Sequence, residues 1–297
     1  MVRDRTGMGW LGRLIALAIV AILFWGAYYA WFAPKLTATP YVPPIAENGD
    51  YAEVDYRGYF PDTDRTFDTS FESVARDNAS FRKAASFTYR TGAGQYTPLG
   101  FVMACSGTPG CPLPAFQDGV RGMRVGESRV FSLPPEKGYG LSDPSKVRVR
   151  PLLEEVPATE TMTEAEFQQR FGARALDGSV VSDWVWGWNA TVRVSGDLVT
   201  VRHSPIPGET VRVAGKWPAR VVSIDDAADG GVGVVTVRHL LADADVKEFV
   251  AADREGNFIV VALDEVAGTF TVDYNQEVVG KTLAFEITLK SVRKGRP

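Results

Sequence analysis

Histidine and cysteine are scarce in this chain, and clusters of basic residues are missing. It contains only two histidines and two cysteines among 297 residues, which argues against a metal or redox centre. The net charge is −4 and no block of Lys or Arg stands out, so the electrostatic footprint of nucleic-acid binding is absent. The sequence also lacks the regular alternation of strand and helix patterns that a doubly wound α/β fold requires.

The residues that are present favour a protein rich in β-strands. Hydrophobic residues make up 45% of the chain and charged residues 23%, a composition that builds one large or two medium globular units. Valine recurs in short alternating runs, the pattern of half-buried strands. No nucleophile-elbow motif surrounds the serines, and Gly92-Ala-Gly lacks the strand and helix that flank a nucleotide-binding loop.

The N-terminal region predicts a transmembrane helix. No charged residue occurs from Leu14 to Ala33, and as a helix this stretch is roughly 30 Å long, the thickness of a bilayer's hydrocarbon core. Arg3, Arg5 and Arg13 precede it, whereas only Lys35 follows closely. The positive-inside rule then leaves the N-terminus in the cytoplasm and the rest outside. The alternative is a cleaved signal peptide, whose apolar stretch would be shorter, about 7–15 residues.

The two cysteines agree with this topology. Cys105 and Cys111 flank the flexible segment Ser-Gly-Thr-Pro-Gly, which can bring the two thiols together. Outside the cell such a pair is expected to form a disulfide rather than a metal or redox site. Closing so short a loop would stabilise the fold by about 2–3 kcal/mol through chain entropy. Two free thiols remain the alternative.

The first folded region shows strand, turn and helix patterns. They predict a strand over Tyr51–Tyr59, a turn at Pro61–Asp64, a strand at Phe87–Tyr89, a short helix over Phe116–Met123, and a turn and strand over Val125–Leu133.

A second region runs from about residue 147 to residue 272. It opens with a helix pattern in which Thr163 is the N-cap, Glu166 completes a capping box and Gly172 ends the helix. Val199-Thr-Val-Arg-His203 and Val235-Thr-Val-Arg-His239 are near copies and predict a repeated strand module. Both histidines are expected at strand ends on the surface, and a two-histidine metal site is the less favoured alternative.

Three tryptophans alternate within the second region. Trp184, Trp186 and Trp188 would all lie on one face of a strand. If buried they would be core residues, which is the favoured interpretation. If exposed they would form an apolar surface for unfolded segments.

Five motifs outside the second region resemble, in order, the FKBP family of prolyl isomerases. They are Val54-Asp-Tyr56-Arg-Gly, Thr66-Phe67-Asp68-Thr-Ser70, Phe116–Glu127, Tyr139-Gly140, and the closing segment from Asp273 to Ile287. The long stretch between Tyr139 and Asp273 lies where insert-in-flap (SlyD-like) members carry an extra domain. Departures are Pro112-Leu113 and Ala115, where the family usually has Val-Ile and glycine, and the cysteine loop, which extends the rim of the pocket.

The resemblance implies an α+β fold. An antiparallel FKBP-like sheet would wrap around a short helix, with a β-rich insert domain in the flap and an N-terminal transmembrane helix. The implied segments are 1–34 (cytoplasmic N-terminus and transmembrane helix), 35–48 (Pro-rich linker), 49–146 (first part of the FKBP domain), 147–272 (insert-in-flap domain) and 273–297 (closing strand of the FKBP domain).

The resemblance also implies a pocket that catalyses rotation about X–Pro bonds. Tyr56, Phe67, Asp68 and Tyr139 would be the catalytic residues, and Phe87, Leu113, Phe116 and Phe285 would line the substrate-binding walls. Tyr139 would donate its hydroxyl to the carbonyl before the proline. Asp68 would either hydrogen-bond to Tyr56 or face the twisted carbonyl, and the sequence leaves both roles open.

The sequence therefore predicts a peptidyl-prolyl cis–trans isomerase with chaperone activity. It would act as a monomer on unfolded or proline-containing polypeptides at the outer face of the cell membrane. Because no bond is made or broken, it would need no cofactor or metal, and no nucleic-acid partner is expected. Two alternatives remain: a catalytically inactive FKBP-fold holdase at the cell surface, and a β-rich adhesion component.

Overall fold

The computed structural model of this chain describes residues 9–32, 42–92 and 94–295. The chain divides into two units, Met1–Pro43 and Pro44–Pro297, and helix α1 in the first unit spans Trp10–Phe32. Arg3, Arg5, Lys35 and the first half of the predicted linker lie outside the described residues. Within the described ranges, no helix combines the length and apolarity needed to cross a membrane. The predicted transmembrane helix therefore gains no support from the structure.

Strands dominate the second unit, and short helices lie between them. The α-helices are α2 (Glu72–Arg76), α3 (Pro114–Val120), α4 (Glu164–Phe171) and the irregular turn α5 (Ala228–Gly231). The strands in chain order are β1 (Tyr51–Phe60), β2 (Arg65–Thr69), β3 (Leu99–Val102), β4 (Ser128–Leu133), β5 (Val147–Pro151), β6 (Leu153–Pro157), β7 (Thr159–Thr163), β8 (Val180–Ser182), β9 (Asn189–Ser195), β10 (Leu198–His203), β11 (Thr210–Val213), β12 (Trp217–Asp225), β13 (Val234–His239), β14 (Val250–Asp253), β15 (Gly256–Asp264), β16 (Thr269–Asp273) and β17 (Leu283–Arg293).

Sheet 1 is antiparallel and is formed by the first four strands and the last one. Its order is β2-β1-β17-β4, and β3 pairs with the beginning of β1. The last strand of the sequence therefore lies in the middle of the sheet. Helix α3 begins with Pro114 in its first turn, where a proline costs no backbone hydrogen bond. It buries Phe116 and Val120 in the core that it shares with the sheet.

Most of the local predictions for this region agree with the structure. The predicted strand at Tyr51 is β1, and the predicted helix begins at Pro114, two positions earlier than expected. The strand predicted at Phe87–Tyr89 is wrong, because this segment is irregular. The backbone N–H of Ser86 donates to the side chain of Glu277 at 2.7 Å instead of to a neighbouring strand.

The inserted β-region, Val147–Asp273, contains β5 to β16 in three antiparallel sheets of four strands each. Sheet 2 has the order β11-β12-β13-β6, sheet 3 the order β14-β15-β16-β5, and sheet 4 the order β7-β10-β9-β8. Sheets 2 and 3 share one core around Trp217, Phe258 and Phe270, whereas sheet 4 and α4 enclose a separate core around Phe167. The β-rich character predicted for this region is confirmed. Its assignment to the insert-in-flap type stays a prediction.

Helix α4 has both of its predicted ends. Thr163 and Glu166 form a reciprocal capping box, and Gly172 ends the helix in the left-handed conformation at φ 65°. Glycine adopts this conformation without the Cβ penalty that other residues pay.

The two Val-Thr-Val-Arg-His repeats adopt the same buried arrangement. In each, the histidine Nδ1 accepts a hydrogen bond from a tryptophan indole, and Nε2 contacts a glutamate on the paired strand. The two distances are 2.9 and 3.0 Å in Trp188–His203–Glu160, and 2.9 and 2.8 Å in Trp217–His239–Glu154. The expectation of surface histidines is therefore wrong, because both side chains point inward with the valines of their strands.

The alternating tryptophans do not form a strand. Asp183 accepts hydrogen bonds from the backbone N–H groups of Val185 and Trp186, which bends the chain into a turn. Trp186 and Trp188 are buried and stack at 5.1 Å between ring centroids. Trp184, by contrast, is 43% exposed. The prediction of three indoles on one face is therefore wrong for Trp184.

Candidate functional site

A hollow of about 560 Å³ opens between sheet 1, α3 and the segment that follows β4. Seven of the eight side chains that the sequence assigned to the proline site line it: Tyr56, Phe67, Asp68, Leu113, Phe116, Tyr139 and Phe285. They come from parts of the chain as distant as β1 and β17, and the antiparallel pairing of these two strands brings them together.

Aromatic rings form the floor and walls of the hollow. Phe116 lies at the centre, with its ring centroid 5.0 Å from that of Phe285 and 6.2 Å from that of Tyr56, both nearly perpendicular. Phe67 packs edge to face on Phe285 at 5.6 Å. Edge-to-face packing suits the quadrupoles of aromatic rings and fixes their orientations. Phe116, Phe285 and Tyr56 are each less than a tenth exposed, so the floor of the hollow is apolar and closely packed.

Gly58 in β1 allows the walls to approach each other. It lies opposite Phe285 in the sheet register. A Cβ at this position would lie 2.6 Å from the ring of Phe67 and 3.1 Å from that of Phe285. Because Gly58 has no side chain, the rings of Phe67 and Phe285 have room to close one side of the hollow.

One edge of the hollow is polar. The hydroxyl of Tyr56 donates to Oδ2 of Asp68, and Arg90 donates to Oδ1 of the same carboxylate at 2.8 Å and to the Tyr56 oxygen at 3.2 Å. The backbone N–H of Thr69 also donates to Oδ1. Of the two roles left open for Asp68, the hydrogen bond to Tyr56 is the one that the structure contains.

This edge keeps Tyr56 protonated. Burial of the ring raises the pKa of Tyr56 well above its usual value, and the negative charge of Asp68 raises it further, against the smaller opposing effect of Arg90. Burial, together with Asp68, also raises the pKa of Tyr139. Both tyrosines are therefore hydrogen-bond donors over the whole physiological pH range.

Tyr139 lies at the mouth of the hollow, just after a 3₁₀ turn at Pro135–Lys137. Its side chain is 49% exposed. Its hydroxyl makes no hydrogen bond to any part of the chain that the structure describes. The group is therefore available to a bound molecule.

The cysteine loop forms one rim. Cys105 and Cys111 are joined in a disulfide, and Cys111 lines the hollow together with Pro112. The side-chain amide of Gln117 in α3 donates to the carbonyl oxygens of Cys105 and Pro112, each at 3.0 Å. The loop is thus held to the helix that carries Phe116.

Phe87 does not line the hollow, although the sequence assigned it to the site. Its ring packs edge to face on Tyr89 at 5.0 Å and faces a neighbouring cavity. Sequence reasoning missed Arg90 and Val278, which both line the hollow. Val278 belongs to the closing motif that the resemblance identified, whereas no sequence signal connects Arg90 with Asp68.

In chemical terms, the site offers an aromatic cup and, at its mouth, the unengaged hydroxyl of Tyr139. Such a cup suits a small apolar ring, and the hydroxyl suits a carbonyl oxygen beside it. Among the residues that the structure describes, no group of three or more His, Cys, Asp or Glu side chains is arranged to hold a metal ion.

Two comparisons with known proteins show what the sequence of this chain is similar to. Residues 43–162 match the family of FKBP-type peptidyl-prolyl cis-trans isomerases. The short-type peptidyl-prolyl cis-trans isomerase of Methanocaldococcus jannaschii is 29% identical over 157 residues, which are 53% of this chain and 82% of that protein. The enzyme class predicted from the sequence is thus confirmed. Strand β17, which adds Phe285 to the hollow, lies beyond the residues that match the family.

Proposed function

We propose that this FKBP-type peptidyl-prolyl cis–trans isomerase accelerates the rotation of X–Pro bonds in exported polypeptides, while its inserted β-region holds the unfolded chain. The observation that carries the catalytic part is the hollow itself. There Tyr56, Phe116 and Phe285 surround an apolar space beside the unengaged hydroxyl of Tyr139. All of these residues belong to one chain, so we expect the monomer to be active.

The reaction needs no bond to be made or broken. Amide resonance gives peptide bonds a rotation barrier of about 18–20 kcal/mol, and uncatalysed X–Pro exchange takes roughly tens to hundreds of seconds. A catalyst therefore has to bind the twisted imide more tightly than either planar form. Twisting reduces the charge separation of the amide, so transfer to a dry apolar site favours the twisted form over the planar one.

The residues of the hollow divide this task between them. The cup around Phe116 would hold the pyrrolidine ring, and Tyr139 would donate to the carbonyl oxygen before the proline. Asp68 has both carboxylate oxygens occupied by Tyr56 and Arg90, so it is a positioning residue that fixes the polar edge.

A proline-limited refolding assay tests the isomerase function. The purified full-length chain is added to a small protein whose slow refolding phase is an X–Pro isomerisation. We expect the slow phase to accelerate in proportion to the enzyme concentration, and the Phe116→Ala variant to lose most of this effect. An unchanged slow phase with the wild-type chain would refute the proposal.

The holding function is supported by Trp184. Its indole is 43% exposed and lines two adjoining cavities of the β-region, of about 600 and 610 Å³. A large exposed apolar side chain between two concave surfaces is suited to unfolded segments. We expect the chain to suppress aggregation of a denatured protein and Trp184→Ser to weaken this suppression. A holdase without catalysis, the alternative function, would suppress aggregation yet leave the slow refolding phase unchanged.

The proposed place of action is the outer face of a membrane. The uncharged stretch Leu14–Ala33, with Arg13 before it, supports an anchor, and the disulfide Cys105–Cys111 supports an oxidising compartment. Carbonate extraction of membranes from cells that express the full chain tests the anchor. Protease treatment of a separate sample of intact cells tests the outward orientation. Release of the chain by carbonate would refute the anchor, and resistance to protease would refute the outward orientation.

A further inference from the structure

A second cavity, here the side cleft, adjoins the proline hollow. Its volume is about 630 Å³, within the roughly 300–1,000 Å³ of typical ligand sites. The side chains that characterise it are Phe87, Val250, Asn257, Ile259, Gln276 and Val278. Val250 lies in β14 and Ile259 in β15, so the inserted β-region supplies one wall. The other wall comes from the rest of the second unit, which contains sheet 1 and α3 and is called the isomerase part below.

The hollow and the side cleft lie next to each other. Ser86, Thr88 and Val278 line both cavities. The short segment from Ser86 to Thr88 is therefore the ridge between them, with Phe87 on the side of the cleft. A polypeptide that places its proline in the hollow can pass over this ridge into the side cleft without leaving the protein surface.

The two walls of the side cleft are fixed by contacts across the chain. Ser86 donates to the buried carboxylate of Glu277 through its backbone N–H and its hydroxyl, both at 2.7 Å. On the same side of the molecule, Arg65 of β2 pairs with Glu248 and donates to the carbonyl oxygen of Lys247 at 2.9 Å. The bonds of Arg65 join sheet 1 to the segment that leads into β14, and the bonds of Ser86 join the ridge to the segment that precedes β17.

The lining of the side cleft matches an uncharged polypeptide segment. Phe87, Val250, Ile259 and Val278 offer an apolar surface for a side chain. The exposed Asn257 and Gln276 carry amides that both donate and accept hydrogen bonds, as peptide groups do. The one carboxylate among the lining residues, Glu277, is occupied by Ser86, so the cleft presents no unpaired charge to a cationic or anionic ligand.

We infer that the side cleft is a second substrate subsite, which binds an apolar side chain a few residues from the proline on the same polypeptide. This inference rests on the proposed isomerase function and adds its substrate class. The preferred substrates are extended chains with apolar residues flanking the proline, and they contact the hollow and sheet 3 together.

The test compares peptides of two lengths. Isomerisation rates are measured by NMR exchange for a four-residue X-Pro peptide, for a ten-residue peptide with leucines on both sides of the proline, and for the same peptide with serines instead. Burial of one leucine predicts a kcat/KM for the leucine peptide roughly tenfold above that of the four-residue peptide. The serine peptide should lose this advantage with the wild-type enzyme, so part of the test needs no variant.

The matched variants are Val250→Ser in the cleft and Val266→Ser in the fully exposed turn between β15 and β16. We expect Val250→Ser to reduce the preference for the leucine peptide to near unity and to leave the rate with the four-residue peptide unchanged. Val266→Ser should behave as wild type. An unchanged preference in a folded Val250→Ser protein would overturn the inference.

Failure of the proposed function gives a different result. In that case the wild-type chain would not accelerate even the four-residue peptide. Calorimetric titration of the leucine peptide then decides on the subsite. Binding that Val250→Ser weakens roughly tenfold would support it, and binding that the substitution leaves unchanged would overturn it.

Discussion

The hydroxyl of Tyr56 lies 2.5 Å from the carboxylate of Asp68, across the turn that joins β1 to β2. Arg90 contacts both groups from a loop more than twenty positions further along the chain. The three side chains form a closed polar edge on an aromatic cup. This edge has the charge and rigidity to fix the orientation of Tyr56 while the cup remains dry.

Loss of the Asp68 carboxylate should reduce catalysis. A hydrogen bond to a charged group contributes about 1.5–3 kcal/mol, so Asp68→Ala is expected to lower kcat/KM roughly 10- to 100-fold. The measurement is the isomerisation rate of a short X-Pro peptide. Asp62→Ala, in the exposed turn before β2, is the matched control and should retain full activity. Wild-type kcat/KM in Asp68→Ala would contradict the positioning role.

Removal of the hydroxyl group of Tyr139 should lower the rate of catalysis and leave the stability of the fold unchanged. Tyr139→Phe keeps the ring but loses the donor, and we expect kcat to fall about tenfold, the effect of one hydrogen bond of about 1.4 kcal/mol. The free energy of unfolding, measured by thermal denaturation, should stay within about 0.5 kcal/mol of the wild-type value, because the side chain is half exposed. Tyr89→Phe, at 46% exposure, serves as the control. Equal kcat values for the two variants would exclude Tyr139 as the donor.

The disulfide should affect both the stability of the isomerase part and its affinity for substrate. Replacement of Cys105 and Cys111 by serine is expected to cost about 2 kcal/mol, because the cross-link no longer restricts the unfolded chain. KM should rise, because Cys111 and Pro112 form part of the rim. Urea denaturation followed by near-UV circular dichroism measures the first effect and peptide kinetics the second. Reductant should reproduce both changes in the wild-type protein and leave the double-serine variant unaffected.

The inserted β-region should lose stability in acid. Burial alone would raise the pKa of Glu160, but hydrogen bonds from His203 and from two arginines outweigh it and hold this pKa below its usual value of 4.5. The folded state therefore binds the proton less readily than the unfolded state. The stabilisation is fully present above about pH 4.5 and is lost as the pH falls below that value toward the lowered pKa.

Tryptophan fluorescence reports this loss, because four of the seven tryptophans lie in the β-region. Glu160→Gln should reduce the free energy of unfolding at pH 7 by roughly 3 kcal/mol, because it breaks a buried ion pair. It should also flatten the dependence of this free energy on pH below 4.5. The exposed Glu265→Gln should preserve the wild-type curve. If Glu160→Gln kept the wild-type dependence of the free energy of unfolding on pH, other carboxylates would govern acid unfolding.

The side chains that line the hollow and that the sequence had singled out belong to short motifs of the family resemblance. Tyr56 and Asp68 lie on the two strands of one hairpin, but the sequence left open whether their side chains bond to each other. Phe87 had no such constraint. Its segment is positioned by Glu277, nearly two hundred residues away, and this contact turns the ring toward the side cleft instead of the hollow.

The burial of the two histidines also depends on contacts between residues that are distant in the sequence. The repeated strand pattern around His203 and His239 was visible, and their position at strand ends was correct. Their burial was not predictable, because it depends on an indole and a carboxylate from other strands, as with Trp217 and Glu154 for His239. The capping box of α4, in contrast, uses only four consecutive positions and was predicted completely.

Strand β17 has a consequence for synthesis on the ribosome. It pairs between β1 and β4 and carries Phe285, yet the ribosome makes it only after the whole β-region, which separates it from β4 in sequence. Until those last residues leave the exit tunnel, sheet 1 has a gap at its centre and the cup lacks a wall. The catalytic hollow is therefore the last part of the fold that can be completed during synthesis.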